Sequence, residues 1–314
     1  MWMKTISGCL AIVKGVFALA LTLLSAQAVL AAPSDKAASH SKAASSSRAA
    51  SSGKAPPSPS VGASVSTRSP QARMAFQRAY ALRNGPYAAD RAISEIDRAI
   101  ALEPGNAQFL ALKAEILYSV EEDEESLSAA ELAIKSDPNC VSAWFCKARI
   151  LTRLKRAEEG LKCMNRVMEL QAPDAGVYDA RGRIFAVLNR WSEAASDFDH
   201  AVKLLPHSGT FLSDRLDAYL RVKDYARAVE DATSCLTLEP RNLQSFYKRR
   251  AEAYVGLHQY DKAESDYKEA VKRSPDDVRL REAFRSFYQQ TGNAAGAKEQ
   301  EKKLNEIYGD IIRR

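Results

Sequence analysis

Apolar side chains between residues 73 and 314 follow a pattern that repeats about every 34 residues. Prolines mark the end of each unit, since successive ones stand 33 to 35 residues apart: Pro104, Pro138, Pro173, Pro206, Pro240 and Pro275. A period of this length is typical of helical hairpins that stack in a row. Because proline lacks an amide hydrogen, each one is expected to end the second helix of its hairpin. The pattern therefore predicts an all-α protein.

Side-chain size follows the same period when positions are counted so that these prolines stand at position 32, or at position 33 in the third unit. Position 4 carries a large side chain in six units: Phe76, Leu110, Trp144, Tyr178, Leu212 and Tyr247. Position 20 carries a small one in seven: Ala92, Ser126, Gly160, Ala194, Ala228, Ala263 and Ala297. Small residues let two antiparallel helices approach closely, and large residues fill the seam between neighbouring hairpins. The expected architecture is a solenoid of paired helices.

Six complete units and a partial seventh follow from this register. The predicted hairpins span residues 73–106, 107–140, 141–174, 175–208, 209–242 and 243–277, and a partial repeat with a capping helix pair spans residues 278–314. A polar final helix is expected there, because the last hairpin has no neighbour on its outer face.

The fourth unit carries a known repeat signature. The signature has the form W-x2-L-G-x2-Y, then A-x3-F, then P. Its positions are occupied in this unit by Tyr178, Arg181, Gly182, Phe185, Ala194, Phe198 and Pro206. The sequence therefore resembles the tetratricopeptide repeat (TPR) family, over residues 73–308. The resemblance implies a right-handed α-solenoid whose concave wall, lined by the first helices of the hairpins, binds an extended peptide or a partner protein.

The first 31 residues are typical of an export signal. Lys4 and Lys14 precede an uncharged run over residues 15–32, and Ala28 or Ala31 offers a small residue before a cleavage site. An uncleaved inner-membrane anchor over residues 15–32 is the alternative, since this run is about long enough to cross a thin bilayer. We expect export to a periplasm or to the medium. The absence of any Asn-x-Ser/Thr acceptor favours a bacterial envelope.

Residues 32–72 are rich in Ser, Ala, Pro and Lys, and Val61 and Val65 are their only large aliphatic residues. Such a composition buries too little apolar surface to offset chain entropy, so a disordered linker is predicted. Residues 1–72 hold seven basic residues and one acidic residue, while the rest of the chain holds 38 of each. Because the repeats are neutral, no nucleic-acid partner is expected. Membrane contact is expected only through an uncleaved N-terminal segment.

Motifs for catalysis or metal binding are missing from the sequence. It has no Gly-rich phosphate loop, no His-Glu-x-x-His and no Gly-x-Ser-x-Gly, and its four histidines do not stand at metal-binding spacing. We therefore expect a non-catalytic protein without a cofactor or a bound metal. An enzyme is less favoured than either a protein-binding scaffold or an envelope assembly factor.

Position 7 is apolar in the TPR signature but basic in units two to six. In units four to six an Asp stands sixteen residues later, where an antiparallel hairpin brings the two positions together. The predicted structural ion pairs are Arg181–Asp197, Arg215–Asp231 and Arg250–Asp266. Lys113 and Lys147 have no acidic residue at that spacing, so they are expected to be freer.

An oxidised cysteine pair is compatible with an exported protein. Cys146 and Cys163 stand on the two helices of unit three, near the place of the ion pairs in units four to six. The alternative interpretation is that the cysteines are small buried residues, since Cys163 and Cys235 stand where the repeat favours small side chains.

The resemblance implies that positions 2, 5, 6, 9, 12 and 13 face the groove. The candidate groove residues are Tyr118, Phe145, Arg149, Arg153, Asp179, Arg183, Asp217, Arg221, Lys248 and Arg249. Arginine side chains suit the carboxylates of an extended peptide, and Tyr118 and Phe145 would be its apolar anchors. The alternative is that acids such as Asp179 and Asp217 neutralise the arginines along the wall.

A protein-binding scaffold is thus the predicted function. The second interpretation is an envelope assembly factor that docks through its convex face or its caps. The TPR clamps that grip chaperone tails need an Asn at position 9, and no unit here has one. That specific clamp is therefore not expected.

Overall fold

The computed structural model describes residues 65–85 and 88–313, with side chains up to residue 309. Fourteen α-helices and no strand occur within these ranges, as the repeat pattern predicts. None of these helices is both long and apolar enough to cross a membrane. The predicted export segment and residues 32–64 of the predicted linker lie outside the described residues.

The helices pair into seven antiparallel hairpins in chain order. Hairpins one to four are α1 (Pro70–Leu82) with α2 (Ala89–Leu102), α3 (Ala107–Ser119) with α4 (Asp123–Ser136), α5 (Val141–Arg153) with α6 (Ala157–Leu170), and α7 (Ala175–Val187) with α8 (Trp191–Leu204). Hairpins five to seven are α9 (Gly209–Val222) with α10 (Tyr225–Leu238), α11 (Leu243–Gly256) with α12 (Tyr260–Arg273), and α13 (Val278–Gln290) with α14 (Ala294–Arg313).

Polar side chains at position 34 start several of the first helices. Asn106, Asp174, Ser208 and Asp277 each accept a backbone N–H from the first turn of the helix that follows. Such a cap satisfies an amide group that a helix leaves unpaired and contributes about 1 kcal/mol. Because the cap follows one or two residues after the proline, the end of one hairpin and the start of the next are fixed together.

The turn inside each of hairpins two to six contains a residue in the left-handed region. These residues, all at position 15, are Glu121, Lys155, Asn189, Lys223 and His258, with φ between 58° and 66°. A non-glycine residue adopts this conformation at a cost of about 1 kcal/mol or more. Its recurrence shows that the helix pair, and not the residue type, sets the geometry of the turn.

Small residues at position 20 lie where the two helices of a hairpin touch. Ala92, Ala194, Ala228 and Ala263 have no exposed surface. A Cβ atom at Gly160 would lie 2.8 Å from the carbonyl oxygen of Ala148, which is closer than any side chain tolerates. The predicted alternation of side-chain size is confirmed at this position.

Large residues at position 4 fill the seams between hairpins. Phe76 is fully buried, and Trp144 and Tyr178 are half-buried against the core of the central hairpins. The ring of Tyr178 also stacks on that of His200, with centroids 4.8 Å apart. The apolar core therefore runs along the stack, from one hairpin to the next.

Residues 65–72 correct the predicted linker boundary. Val65 is buried against the first hairpin, and the backbone N–H groups of Arg68 and Ser69 donate to one Glu103 carboxylate oxygen at 2.9 and 2.7 Å. The Ser69 hydroxyl then caps α1, which begins at Pro70. The prediction of disorder is wrong for these eight residues, because composition alone does not register a helix cap or a single buried valine.

Candidate functional site

The three predicted ion pairs are present as bidentate contacts inside hairpins four to six. Arg181 donates to both carboxylate oxygens of Asp197 at 2.7 Å. The pairs Arg215–Asp231 and Arg250–Asp266 have the same form, with distances of 2.7 to 2.9 Å. The aspartate side chains are 4 to 7% exposed. Since each buried carboxylate faces a guanidinium fork, these pairs belong to the packing of the hairpin.

The cations at position 7 of hairpins two to six also contact position 25 of the preceding hairpin, across the seam between the two hairpins. Lys113 lies 2.7 Å from Asp97, Lys147 lies 2.9 Å from Glu131, Arg181 contacts Asn165, Arg215 contacts Asp199, and Arg250 contacts Thr233. The expectation that Lys113 and Lys147 are freer is therefore wrong, because their partners precede them by sixteen residues. We call the five cations at position 7 the seam ladder.

The possible Cys146–Cys163 disulfide is absent from the structure, and the alternative of small buried cysteines fits what is observed. Cys140, Cys146, Cys163 and Cys235 are all free and buried. Cys146 packs with residues of the second hairpin such as Ala114, whereas Cys163 packs into the core of the central hairpins. The two thiols face different neighbours because positions 6 and 23 are directed to different sides of the hairpin. Burial raises the pKa of the Cys146 thiol to about 12.

Position 5 is less open than the repeat register implies. Phe145 has no exposed surface and lies within the core of the central hairpins, so its predicted role as a groove anchor is wrong. Asp179, at the same position of the next unit, is also fully buried. Adjacent first helices lie close enough together here to cover this position.

Asp179 belongs to a three-residue charge cluster. Arg183 Nε lies 2.9 Å from an Asp179 carboxylate oxygen, and Arg183 Nη2 lies 2.5 Å from one of Asp214. Burial raises the pKa of Asp179 well above its usual value, while Arg183 opposes that shift and Asp214 adds to it. Arg183 is therefore occupied by two carboxyl groups, which supports the interpretation that charges neutralise one another in this part of the wall.

A second group gathers around Tyr118, between hairpins two and three. The guanidinium carbons of Arg149 and Arg153 lie 4.3 and 3.7 Å from the centroid of its ring. Arg153 is also paired with Asp123 at the start of α4. The predicted anchor Tyr118 is thus half-buried under two cations, and cation–π attraction holds all three side chains together.

An open cavity of about 650 Å³ lies between hairpins five and six and is also lined by Trp191 of hairpin four, and we call it the Trp191 pocket. Its lining residues are Trp191, Asp217, Leu220, Arg221, Tyr225, Ser245, Lys248, Arg249 and Glu252. Four of the ten predicted groove residues meet here: Asp217, Arg221, Lys248 and Arg249. Trp191 and Tyr225 stand at position 17, which is not among the positions expected to face the groove.

The charges of the Trp191 pocket differ in how firmly they are held. Arg249 Nε lies 3.2 Å from Asp217, and Arg249 Nη1 donates to the Ser213 hydroxyl at 2.9 Å. Lys248 Nζ lies 3.6 Å from Glu252. The guanidinium of Arg221 lies over the ring of Trp191, 5.3 Å from its centroid. The role of these residues in binding a peptide stays a prediction.

Metal chemistry receives no support from the part of the chain that is described. No group of three or more His, Cys, Asp or Glu side chains in it is arranged to hold an ion. The buried acids that the structure does contain face arginines, as in the Asp197 and Asp231 pairs.

Two family models match the repeats. One, described as the N-terminal TPR repeats region of Psidin, matches residues 115–248. The other, described as the tetratricopeptide repeat, matches residues 245–277. The two matches together run from within the second hairpin to the end of the sixth.

Curated relatives match parts of the chain. U-box domain-containing protein 70 of Oryza sativa subsp. japonica is 28% identical over 131 residues, which are 42% of this chain and 16% of that protein. The heat shock protein sti1 homolog of Schizosaccharomyces pombe is 31% identical over 119 residues, 38% of this chain and 20% of that protein. The chain thus spans a fifth or less of the length of these relatives.

The hairpin stack is also similar to solved structures. The crystal structure of YrrB, a TPR protein with an unusual peptide-binding site, superposes with a TM-score of 0.55 at 15% sequence identity, over 60% of this chain and 96% of that chain. At this identity the similarity concerns the fold alone. Both family models describe tetratricopeptide repeats, and the repeat register and the stacked hairpins have the form of that repeat. The chain belongs to the tetratricopeptide repeat family.

Proposed function

We propose that this protein is a non-catalytic scaffold that binds an extended segment of a partner protein in the groove formed by its first helices. The observation that carries the proposal is the Trp191 pocket, which opens between α9 and α11 and combines aromatic walls with exposed charges. Interfaces draw much of their binding energy from such a combination of aromatic and arginine side chains. Repeat proteins offer it along an extended surface.

The absence of catalytic motifs from the sequence supports a role without chemistry. The perturbed acid Asp179 is closed off from the groove surface and bound to Arg183, so it has no access to a substrate. We therefore propose that the protein acts by binding alone and needs no cofactor.

We further propose that the protein is exported, as residues 1–31 suggest by their pattern. The support is the run of uncharged residues after Lys14 and the small residues that follow it. N-terminal sequencing of the protein from the envelope fraction tests this: a start after Ala28 or Ala31 indicates cleavage. An intact N-terminus in the membrane fraction indicates the anchored alternative.

Site-specific photo-crosslinking in cells tests the scaffold proposal. A photoreactive residue in place of Ser245, which lines the Trp191 pocket, is expected to crosslink to a partner. The same residue in place of Lys162, exposed on the second helix α6, is expected to give no such product. Crosslinks from Lys162 and none from Ser245 would favour the assembly-factor alternative, in which the convex face docks.

A further inference from the structure

The three cations of the Trp191 pocket have unequal capacity for a ligand. Arg249 is held by Asp217 and Ser213. Arg221 is exposed, takes part in no ion pair within the described ranges, and has its guanidinium over the Trp191 ring. A guanidinium has five N–H donors, and contact with an aromatic ring face uses none of them as a hydrogen bond to an acid, so they stay available for a planar acceptor. Arg221 is therefore the open donor of the pocket.

Lys248 adds a second positive charge next to that donor. Its ammonium lies 3.6 Å from Glu252, which is longer than a hydrogen bond, and both side chains are partly exposed. A contact of this kind, between residues one helical turn apart, contributes little and is easily exchanged. Lys248 can therefore turn to an incoming carboxylate without leaving a buried acid unpaired.

The apolar wall of the pocket is fixed by close packing. A Cβ atom at Gly256 would lie 2.4 Å from the ring of Tyr225, so the ring rests directly on the last residue of α11. Leu220 and Trp191 complete this wall. A rigid aromatic surface gives a ligand's apolar side chain contact area without a cost in ordering the protein.

Two acids limit what the pocket accepts. The side chains of Asp217 and Glu252 are 44% and 40% exposed. Each stands among the lining residues and presents a negative charge to the cavity. A ligand with several neighbouring carboxylates meets repulsion from both, whereas a ligand with one carboxylate can avoid them.

We propose that the Trp191 pocket recognises a single Asp or Glu side chain, next to an aromatic or branched apolar residue, in an extended segment of a partner protein. Arg221 and Lys248 bind the carboxylate, and Trp191, Leu220 and Tyr225 contact the apolar neighbour. This rests on the proposed scaffold function and adds the chemistry of the partner, including rejection of acidic runs.

Selection from a random peptide library displayed on phage, with the full chain immobilised, tests the proposal. The wild-type protein is expected to enrich peptides with one acidic residue beside an apolar one. Arg221→Glu is expected to abolish this enrichment. The matched control Arg241→Glu has the same charge change at an exposed turn residue outside the pocket and is expected to retain it.

Calorimetry with an enriched peptide gives the size of the effect. Replacement of its acidic residue by the amide is expected to weaken binding about tenfold or more, the range of a charge-assisted hydrogen bond. Arg221→Lys, which keeps the charge and loses the fork, is expected to fall between wild type and Arg221→Glu. Circular dichroism melting curves verify that each variant is folded.

Enriched peptides without an acid, enriched acidic runs, unchanged selection by Arg221→Glu, or no enrichment at all would each overturn the proposal. The scaffold function fails by a different result, the absence of crosslinks from Ser245 in cells. A partner that crosslinks from Ser245 while the library yields no single-acid peptide would keep the scaffold and reject this ligand.

Discussion

The seam ladder and the Trp191 pocket use the same side chain in opposite ways. In the ladder, Arg215 binds Asp231 within its own hairpin and Asp199 across the seam, and 19% of its side-chain surface is exposed. In the pocket, Arg221, six residues further along α9, is exposed and lies over the ring of Trp191. One helix therefore carries a saturated arginine on its packed side and an open one on its groove side. The difference lies in the acids that the neighbouring helices supply.

Removing a ladder cation is expected to have the largest effect. Arg215→Ala leaves Asp231, which is 4% exposed, without its partner, and a buried unpaired charge costs about 3 kcal/mol. The free energy of unfolding from urea titrations, followed by circular dichroism, measures the loss. The double variant Arg215→Met with Asp231→Leu removes both charges and is expected to recover most of it. A single variant as stable as wild type would show that the ladder contributes nothing.

A substitution on the packed side of a hairpin is expected to have the second largest effect. Gly160→Ala brings a Cβ atom within 2.8 Å of the Ala148 carbonyl oxygen, and overpacking of this kind costs about 2 kcal/mol. Gly105→Ala is the matched control, since nothing lies within 4 Å of its Cβ position. Equal melting temperatures for the two variants would contradict the close helix contact at position 20.

The buried charge cluster is expected to give a pH-dependent effect. Burial raises the pKa of Asp179 in the folded protein, so the folded state holds a proton that the unfolded state releases above about pH 4. Stability from this group is therefore full at low pH and declines as pH rises through the folded-state pKa. Asp179→Asn lacks this decline, so its stability relative to wild type is expected to increase between pH 4.5 and pH 7.5.

The urea midpoints of both proteins at the two pH values measure this difference. Asp197→Asn serves as the contrast, because Asp197 is the bidentate partner of Arg181 and its loss destabilises at both pH values. A constant difference between Asp179→Asn and wild type across this range would contradict the assignment.

Removing the open arginine is expected to have the smallest effect on stability. Arg221→Ala deletes an exposed side chain without an ion pair in the described part of the chain, and such changes stay within about 0.5 kcal/mol. Urea titration beside Arg215→Ala measures the contrast between the two arginines of α9. A loss as large as that of Arg215→Ala would mean that Arg221 is structural and not a ligand-binding residue.

The features that could be predicted from the sequence are those fixed by a residue's position within one repeat. Positions 7 and 23 face each other in every antiparallel hairpin, so the Arg181–Asp197 pair and its two counterparts follow from counting. Burial of Ala194 and Ala263 follows in the same way. Such features depend only on geometry inside one hairpin, which the repeat fixes.

Features between hairpins could not be derived in this way. The contact of Lys113 with Asp97 depends on how far one hairpin is rotated against the previous one, and the burial of Phe145 and Asp179 depends on the same rotation. The signal for the ladder was present, since position 25 is polar in each of the first five units. It becomes readable only when the stacking of neighbours is known.

Glu103 has a consequence for how the protein responds to mechanical load. Its carboxylate accepts hydrogen bonds from the backbone N–H groups of Arg68 and Ser69 at the end of the first hairpin. A pull on the chain from the N-terminal side of Val65 is therefore applied to this small set of hydrogen bonds before it reaches any helix. Because each hairpin contacts mainly its neighbours, the stack would yield to such a pull by peeling from that end, one hairpin at a time, and three hairpins would open before any residue that lines the Trp191 pocket is reached.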